Sequence, residues 1–424
     1  DLVLITVDTL RVDRLDLYGA ERQTSPGLTA LAASGITFER AISQAPWTLP
    51  AMASIHTSLF PGQHGAIQVN RRLGQKAVTV AEVLAQNGYR TAAVVSHLFC
   101  SRRFGFGQGF ERFDQTLLAT EKDMTSERLT RAALKSYGLS GEGPRFLWVH
   151  YFDPHFSYLR HPEYGYADGY EGPLSDEVKF EDLGGLEGPA PGQISAEDAR
   201  YALAVYDEEI RHTDRWIAEL VEGIRDAASG REVVFVLTSD HGEYFFERGR
   251  FGHGKDVYKE LVHVPLILAG DLPGGERGVR VERFVETASI PATLMELAGI
   301  SGHPFRGISL LSGDDPRQAS GGAVYSEGNY AWGTDQRKRA VIVDPWKLIE
   351  NLDDGSLELY EVRQDPEELI DRIEDERVGA IVERLSALLR SFSERNTSGP
   401  ADQIIVSEEE RRRMEALGYT SGGK

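Results

Sequence analysis

Five short apolar runs, at 2–7, 91–95, 146–149, 233–237 and 265–268, constrain this 424-residue chain more than any other feature. None alternates apolar with polar residues, which is the pattern of strands covered on both faces in a parallel sheet. Helical periodicity fills the gaps. The segment 28–34 follows Pro26, 78–87 stops at Gly88, and 199–225 carries acids toward its start. Strands alternating with helices predict an α/β, doubly wound domain. Ligands in such sheets sit at the carboxyl ends of the strands. Asp8 closes the first run, Asp153 and His155 follow the third, and Asp240 and His241 follow the fourth. One aspartate after a strand is ordinarily a turn residue or helix cap. Three strand ends carrying such groups predict a functional site.

A catalytic domain is expected over 1–322 and a smaller subdomain over 323–424. In the latter, 340–343, 346–349 and 357–360 read as short antiparallel strands, with Asp353-Asp354-Gly355 as a turn. A helix is expected over 374–392, and Ser407-Glu408-Glu409-Glu410 opens another in the polar tail. The Gly/Pro-rich stretch 171–192 reads as a surface insertion near the site.

Composition, at 41% apolar and 26% charged residues, is that of an ordinary globular enzyme. A net charge of -20 argues against nucleic acid or an anionic membrane surface as the main partner. A small anionic ester held by a bound cation remains compatible with it, because a local divalent charge outweighs the distant field. The single cysteine, Cys100, excludes an intrachain disulfide framework and a thiolate zinc cluster. No apolar run reaches the roughly 18 residues that span a bilayer. The chain starts inside a strand at Asp1-Leu2, which is read as the mark of a leader or anchor removed upstream.

Several segments together resemble the sulfatases of the alkaline phosphatase superfamily. Leu4-Ile5-Thr6-Val7-Asp8-Thr9-Leu10-Arg11 is similar to their opening strand, and Thr238-Ser239-Asp240-His241-Gly242-Glu243 to their second metal segment. His150-Tyr151-Phe152-Asp153-Pro154-His155 resembles a substrate-binding histidine segment, and Phe251-Gly252-His253-Gly254-Lys255 a loop that touches the leaving group. Leu59-Phe60-Pro61-Gly62-Gln63-His64-Gly65 resembles the stretch after the nucleophile, followed by Asn70 where relatives place a polar site residue. Arg363-Gln364-Asp365-Pro366-Glu367-Glu368 resembles the close of the small C-terminal sheet.

The resemblance implies a mixed, doubly wound sheet with helices on both faces, plus a small C-terminal antiparallel sheet and helix. It also implies an extracytoplasmic or periplasmic location. Its metal ligands would be Asp8, Thr48, Asp240 and His241, around one cation. Hard oxygens with one imidazole suit Mn²⁺, Ca²⁺, Mg²⁺ or Zn²⁺ alike. Asn70, His155 and Lys255 would bind substrate, and His155 and His253 would act in catalysis beside Thr48. A second metal held by Asp153, His155 and His253 is the alternative use of those groups. Arg11, Arg14, Arg71 and Arg72 read as structural ion-pair partners, and His56 and His64 as packing residues.

The departures from the family pattern carry the mechanism. In Gln44-Ala45-Pro46-Trp47-Thr48-Leu49-Pro50-Ala51-Met52, Thr48 stands where sulfatases carry the Cys or Ser that becomes formylglycine. Met52 replaces the arginine that supports that aldehyde, Thr9 replaces the second of two tandem acids, and a Lys-Trp-His segment is absent near Val95-Ser96-His97. Formylglycine is therefore not expected. A threonine ester has no hemiacetal through which to eliminate sulfate, so an acceptor must attack sulfur or phosphorus directly. The leading expectation is a metal-dependent hydrolase of phosphate diesters, phosphonate monoesters or phosphate monoesters, with Thr48 as nucleophile. The alternatives are a sulfatase using unmodified threonine, a phospho-group transferase, and a noncatalytic binding protein. The oligomeric state is left open.

Overall fold

The computed structural model describes residues 1–118, 125–139, 142–179, 181–184, 193–312, 322–328, 337–396, 399 and 401–417. Its central sheet has eight strands: β1 (Leu2–Val7), β2 (Gly35–Ile42), β3 (Arg90–Val95), β4 (Arg112–Asp114), β5 (Arg145–Tyr151), β6 (Val234–Ser239), β7 (His263–Gly270) and β8 (Val279–Glu286). Their spatial order is β8-β2-β7-β6-β1-β5-β3-β4. β1 lies between β5 and β6 and is parallel to both, with Val7 level with Tyr151 and Ser239. β7 runs antiparallel to both its neighbours, β6 and β2. The apolar run at 265–268 is thus the one that departs from the parallel expectation. A continuous apolar run reports burial on both faces and says nothing about direction.

Alternate residues of β1 enter two separate cores. Leu2 and Leu4 pack with Leu49, Met52 and Ile55, whereas Val3 and Ile5 pack with Leu28, Val205 and Ile210. Period-two alternation sends successive side chains to opposite faces, so both faces of the sheet must be covered by helices. The helices used below are α1 (Pro26–Ala32), α2 (Thr48–Thr57), α3 (Val80–Gln86), α4 (Ser126–Gly138) and α5 (Ala196–Ala228). Every residue of α2 is buried, which is why its sequence lacks an amphipathic stripe. α3 and α5 open with capping boxes, Thr79 with Glu82 and Ser195 with Asp198.

The C-terminal sheet contains β9 (Val324–Gly328), β10 (Lys338–Val343), β11 (Trp346–Asn351) and β12 (Leu357–Glu361), antiparallel in that order. Gly355, at φ 74°, supplies the left-handed turn between β11 and β12. Helix α6 (Gly379–Arg395) buries Leu385 and Leu389 against one face, and Tyr258 and Val257 pack on the other. Helix α7 (Glu408–Ala416) begins after Ser407 with a capping box to Glu410. The expected division at 322/323 adjoins residues 313–321, outside the described residues, as do 180 and 185–192 of the expected surface insertion. Within that insertion, Glu177–Val178 pairs antiparallel with Tyr158–Leu159.

Asp153 is a helix cap. Its carboxylate accepts from Ser126 N at 2.8 Å and Ser126 Oγ at 2.5 Å, and from Thr125 N at 3.0 Å and Thr125 Oγ1 at 3.2 Å. These bonds satisfy the first turn of α4 and occupy both carboxylate oxygens, so the set Asp153, His155 and His253 is not assembled for a second metal. Replacing Asp153 with alanine leaves those buried donors unmet. The expected loss is about 2–4 kcal/mol of unfolding free energy, read by urea denaturation, with metal content unchanged.

Candidate active site

The register of β1 and β6 builds the centre of the site. Val7 is level with Ser239, so the next residues, Asp8 and Asp240, emerge together from adjacent strand ends. Thr9 then turns the chain at φ 52°, a left-handed conformation costly for a β-branched residue. It is held by Tyr206 Oη donating to Thr9 O at 2.7 Å and by Thr9 N donating to Asp240 Oδ1 at 3.3 Å.

The segment before α2 is pinned on several sides. Ser43 N donates to Val262 O at 2.8 Å, and the Ser43 hydroxyl donates to the Asp240 carbonyl. The Gln44 side chain accepts from Thr287 Oγ1 at 2.8 Å and Ala288 N at 2.7 Å. Glu327 N of the C-terminal sheet reaches Gln44 O at 2.9 Å. Trp47 is extended and buried edge-on to Phe99, so α2 starts at Thr48 with the threonine fully buried.

Thr48 Oγ1 lies 3.3 Å from His241 Nε2. The same nitrogen is 3.4 Å from Asp240 Oδ2 and 3.6 Å from Asp8 Oδ1. His241 Nδ1 faces the Gly242 carbonyl at 2.8 Å, and a carbonyl only accepts, so Nδ1 carries the proton and Nε2 presents a lone pair. Both Asp8 oxygens and Asp240 Oδ2 are buried without a hydrogen-bond donor. Burial, followed by the charges of Asp240 and Glu243, raises the Asp8 pKa well above the usual carboxylate range. Burial also raises Asp240, opposed by hydrogen bonds from His241 N and Thr9 N. Buried carboxylates without donors are costly unless a cation meets them. Three donorless oxygens, an imidazole lone pair and a hydroxyl therefore fit a divalent cation, and Asp8, Asp240 and His241 can offer their atoms to one ion.

A ring of histidines surrounds this cluster. The rings of His253 and His241 are 4.5 Å apart, and those of His155 and His253 are 5.2 Å apart. His150 Nε2 and His97 Nε2 lie 3.4 and 3.9 Å from Asp8 Oδ2. His253 Nδ1 contacts buried Glu243 Oε1 at 2.9 Å, and Tyr158 Oη donates to Glu243 Oε2 at 3.3 Å. Burial raises the Glu243 pKa and lowers that of His253 to about 3. His97, His150 and Glu243 were not singled out by sequence. All three stand on or just beyond a strand of the sheet, so the strand-end reasoning that found Asp8 also reaches them.

Other assignments separate. Lys255, half-buried, lies two residues beyond His253 on the same loop. Asn70 is exposed, and its carbonyl accepts from Ile404 N at 2.9 Å, which ties it to the C-terminal tail and not to the buried cluster. Arg11 pairs with Asp13 and Glu247, Arg14 with Asp207, and Arg72 with Asp402. His56 packs on Trp148 at 4.2 Å, while His64 contacts Ser54 Oγ at 3.3 Å.

The sulfatase family model matches residues 1–300. The chain belongs to the sulfatase family. It is similar to YidJ, an uncharacterized sulfatase of Escherichia coli K12, at 23% identity over 93% of this chain and 87% of that one. Among solved structures it resembles the phosphonate monoester hydrolase of Agrobacterium radiobacter, with a TM-score of 0.76 and 18% identity over 96% of this chain and 98% of that one. It also resembles BT1596, a 2-O GAG sulfatase, with a TM-score of 0.73 and 19% identity over 95% and 94% of the two chains. The sulfatase fold is thereby established, and the protein is an enzyme of the alkaline phosphatase superfamily. Among the described residues no helix is long and apolar enough to cross a membrane.

Metal dependence follows from the two carboxyls. Both are held above their unfolded pKa values, so the metal-free protein has stability that is full in acid and lost as pH rises through the folded values. A bound cation removes that penalty. Thermal melts in chelator should therefore show a larger gain on adding Mn²⁺ or Ca²⁺ at about pH 8 than at about pH 6, reaching about 2.7 kcal/mol at a hundredfold excess over Kd. Asp8→Asn should remove most of the gain; an equal gain in that variant would place the ion elsewhere.

Proposed function

We propose that this sulfatase-family enzyme hydrolyses phosphoryl esters, namely phosphate diesters, phosphonate monoesters or phosphate monoesters, with Thr48 as the attacking group. The observation that carries the reading is the position of the Thr48 hydroxyl. It is fully buried at the first residue of a ten-residue helix, 3.3 Å from the His241 lone pair and among carboxylate oxygens that lack donors. A threonine hydroxyl in water is a poor nucleophile; this environment is built to hold its conjugate base.

Asp8, Asp240, His241 and the Thr48 hydroxyl would hold one divalent cation, which supplies charge that favours the alkoxide and polarises a nonbridging oxygen of the ester. The remaining chemistry belongs to the chain. Thr48 opens α2, so the positive end of the helix dipole lies at this place and favours an anion there. Thr48 Oγ gives its proton to solvent and attacks phosphorus as the phosphorus–leaving-group bond breaks. Glu243, its pKa raised by burial, holds a proton that it donates to His253 Nδ1. The neutral His253 ring therefore carries its own proton on Nε2, passes it to the departing oxygen and takes the Glu243 proton in its place. Glu243 orients His253 through the 2.9 Å contact with Nδ1. Water then attacks phosphorus, the Thr48 ester bond breaks, and the threonine oxygen recovers a proton. His155, whose Nδ1 is committed to the Phe156 carbonyl at 2.9 Å, has its ring 5.2 Å from that of His253 and is assigned to the substrate side of the site.

The second reading, sulfate-ester hydrolysis by unmodified threonine, is supported by the sulfatase relatives. Sulfate lacks the hemiacetal route at Thr48, which favours phosphorus. A panel of matched nitrophenyl esters separates the two. Phosphoryl substrates should have the higher kcat/KM by at least about tenfold, or about 1.4 kcal/mol of transition-state preference. A sulfate ester as best substrate would overturn the phosphoryl reading.

Thr48→Ala should lower kcat by several orders of magnitude on every ester, measured at saturating metal because one of the four ligands is gone, while the metal-free melting curve stays near that of the parent. Near-normal turnover in that variant would show that water attacks directly and that Thr48 only opens the helix.

A further inference from the structure

A cavity of about 280 Å³ lies between the edge of the central sheet and the C-terminal sheet, and it shares no lining residue with the Asp8 cluster. Ile42 and Val262 form its inner wall, Phe284, Ile342 and Val362 supply apolar surface, and Arg40, Lys259, Lys347 and Arg363 bring cationic groups to it. That concentration of positive charge is unexpected in a protein of net charge -20.

Charge pairing within the cavity is uneven. Lys347 is buried and neutralised by Glu368, with contacts of 2.7 and 3.0 Å. Lys259 meets Glu367 at 2.5 Å, and Arg363 is held by Asp344 at 2.6 and 2.8 Å and lies 3.5 Å from Glu282. His263 uses Nε2 to donate to Glu39 O at 2.8 Å. Arg40 is different. Its Nη1 donates to the Glu282 carbonyl at 3.0 Å, and its guanidinium sits 5.4 Å from the centre of the Phe284 ring. Among the described residues no carboxylate lies within ion-pair distance of it. Burial, then the neighbouring Arg363, lowers its pKa.

We propose that this cavity binds a small amphipathic anion, with a sulfonate, sulfate or phosphate head on Arg40 between Arg363 and Lys259 and an aromatic or short aliphatic body against Phe284, Ile342 and Val362. A planar guanidinium with unused donors matches a tetrahedral oxyanion in two-point fashion, and a partly buried site strengthens that bond. The volume lies at the small end of ligand pockets, which limits the occupant to a single ring or a short chain. The proposal is independent of the reaction assigned to Thr48. The site also lies next to the catalytic segment, because Ser43 N binds Val262 O at 2.8 Å immediately behind the inner wall.

The test uses 4-iodobenzenesulfonate and the intact protein. Calorimetric titration should give saturable binding, weakened at least about tenfold by Arg40→Gln and partly retained by Arg40→Lys. Asp8→Asn should bind like the parent. Inorganic sulfate should bind at least about tenfold more weakly than the sulfonate, because it lacks the apolar body. In a soaked crystal the iodine anomalous peak should lie beside Phe284. If Arg40→Gln does not melt like the parent, Arg363→Gln serves as the second variant and should show a comparable loss. The proposal fails if the iodine lies only at the Asp8 cluster or if a folded Arg40→Gln or Arg363→Gln variant binds like the parent. It also fails if sulfate and sulfonate bind equally, or if no saturable binding occurs in solution.

Discussion

Two buried carboxylates brought side by side with too few donors set the terms for the rest of the molecule. Asp8 and Asp240 leave neighbouring parallel strands at the same level, and three of their four oxygens are buried with no hydrogen-bond partner. Such a pair is tolerated in a folded protein only when a cation or bound protons meet it. The surrounding elements hold it in place: β1 is locked between β5 and β6, Thr9 accepts a strained backbone, and Tyr206 from α5 fixes the turn that follows. This is a site whose geometry is enforced by the sheet and not by mobile loops, which is how preorganisation is obtained.

The Thr48 turn and the His253 loop are both braced by the C-terminal sheet. β9 reaches Gln44 through Glu327 N, and Lys338 of β10 pairs at 3.0 Å with buried Asp256, three residues beyond His253. Arg250 pairs with the same aspartate from the other end of that loop. The small sheet therefore holds both the Thr48 segment and the His253 loop. Removing one partner in this network would leave an uncompensated buried charge, so its members act together.

On the proposed function, threonine at position 48 changes what the fold can do with the same scaffold. The hydroxyl keeps the helix-start position and its closeness to the His241 lone pair. It loses the aldehyde hydrate that releases sulfate by elimination. Glu243 and Tyr158 add a fixed orientation for His253, in a pocket where burial keeps histidines neutral.

Much of the fold was legible because burial leaves a direct trace in sequence. The five apolar runs became strands, the capped helices began within a few residues of their signals, and Asp354-Gly355 turned where a left-handed residue was needed. β2, β4, β8 and β9 were not foreseen. Gly35–Ile42 carries Glu39 and Arg40 within it, and Val279–Glu286 is half polar because it lies at the sheet edge. Strand direction was equally hidden, as β7 shows.

By itself the sequence named candidates for the chemistry, since Asp8, Asp240 and His241 stand after strands and Thr48 falls at the nucleophile position of the family pattern. Only the tertiary structure decided which of them act together. It moved Asp153 into a helix cap, left Asn70 at the surface, and brought His97, His150 and Glu243 to the cluster from separate strands. The reason is physical: sequence spacing fixes what is near along one strand or helix, whereas proximity between strands depends on sheet order and register, which only the packed chain supplies.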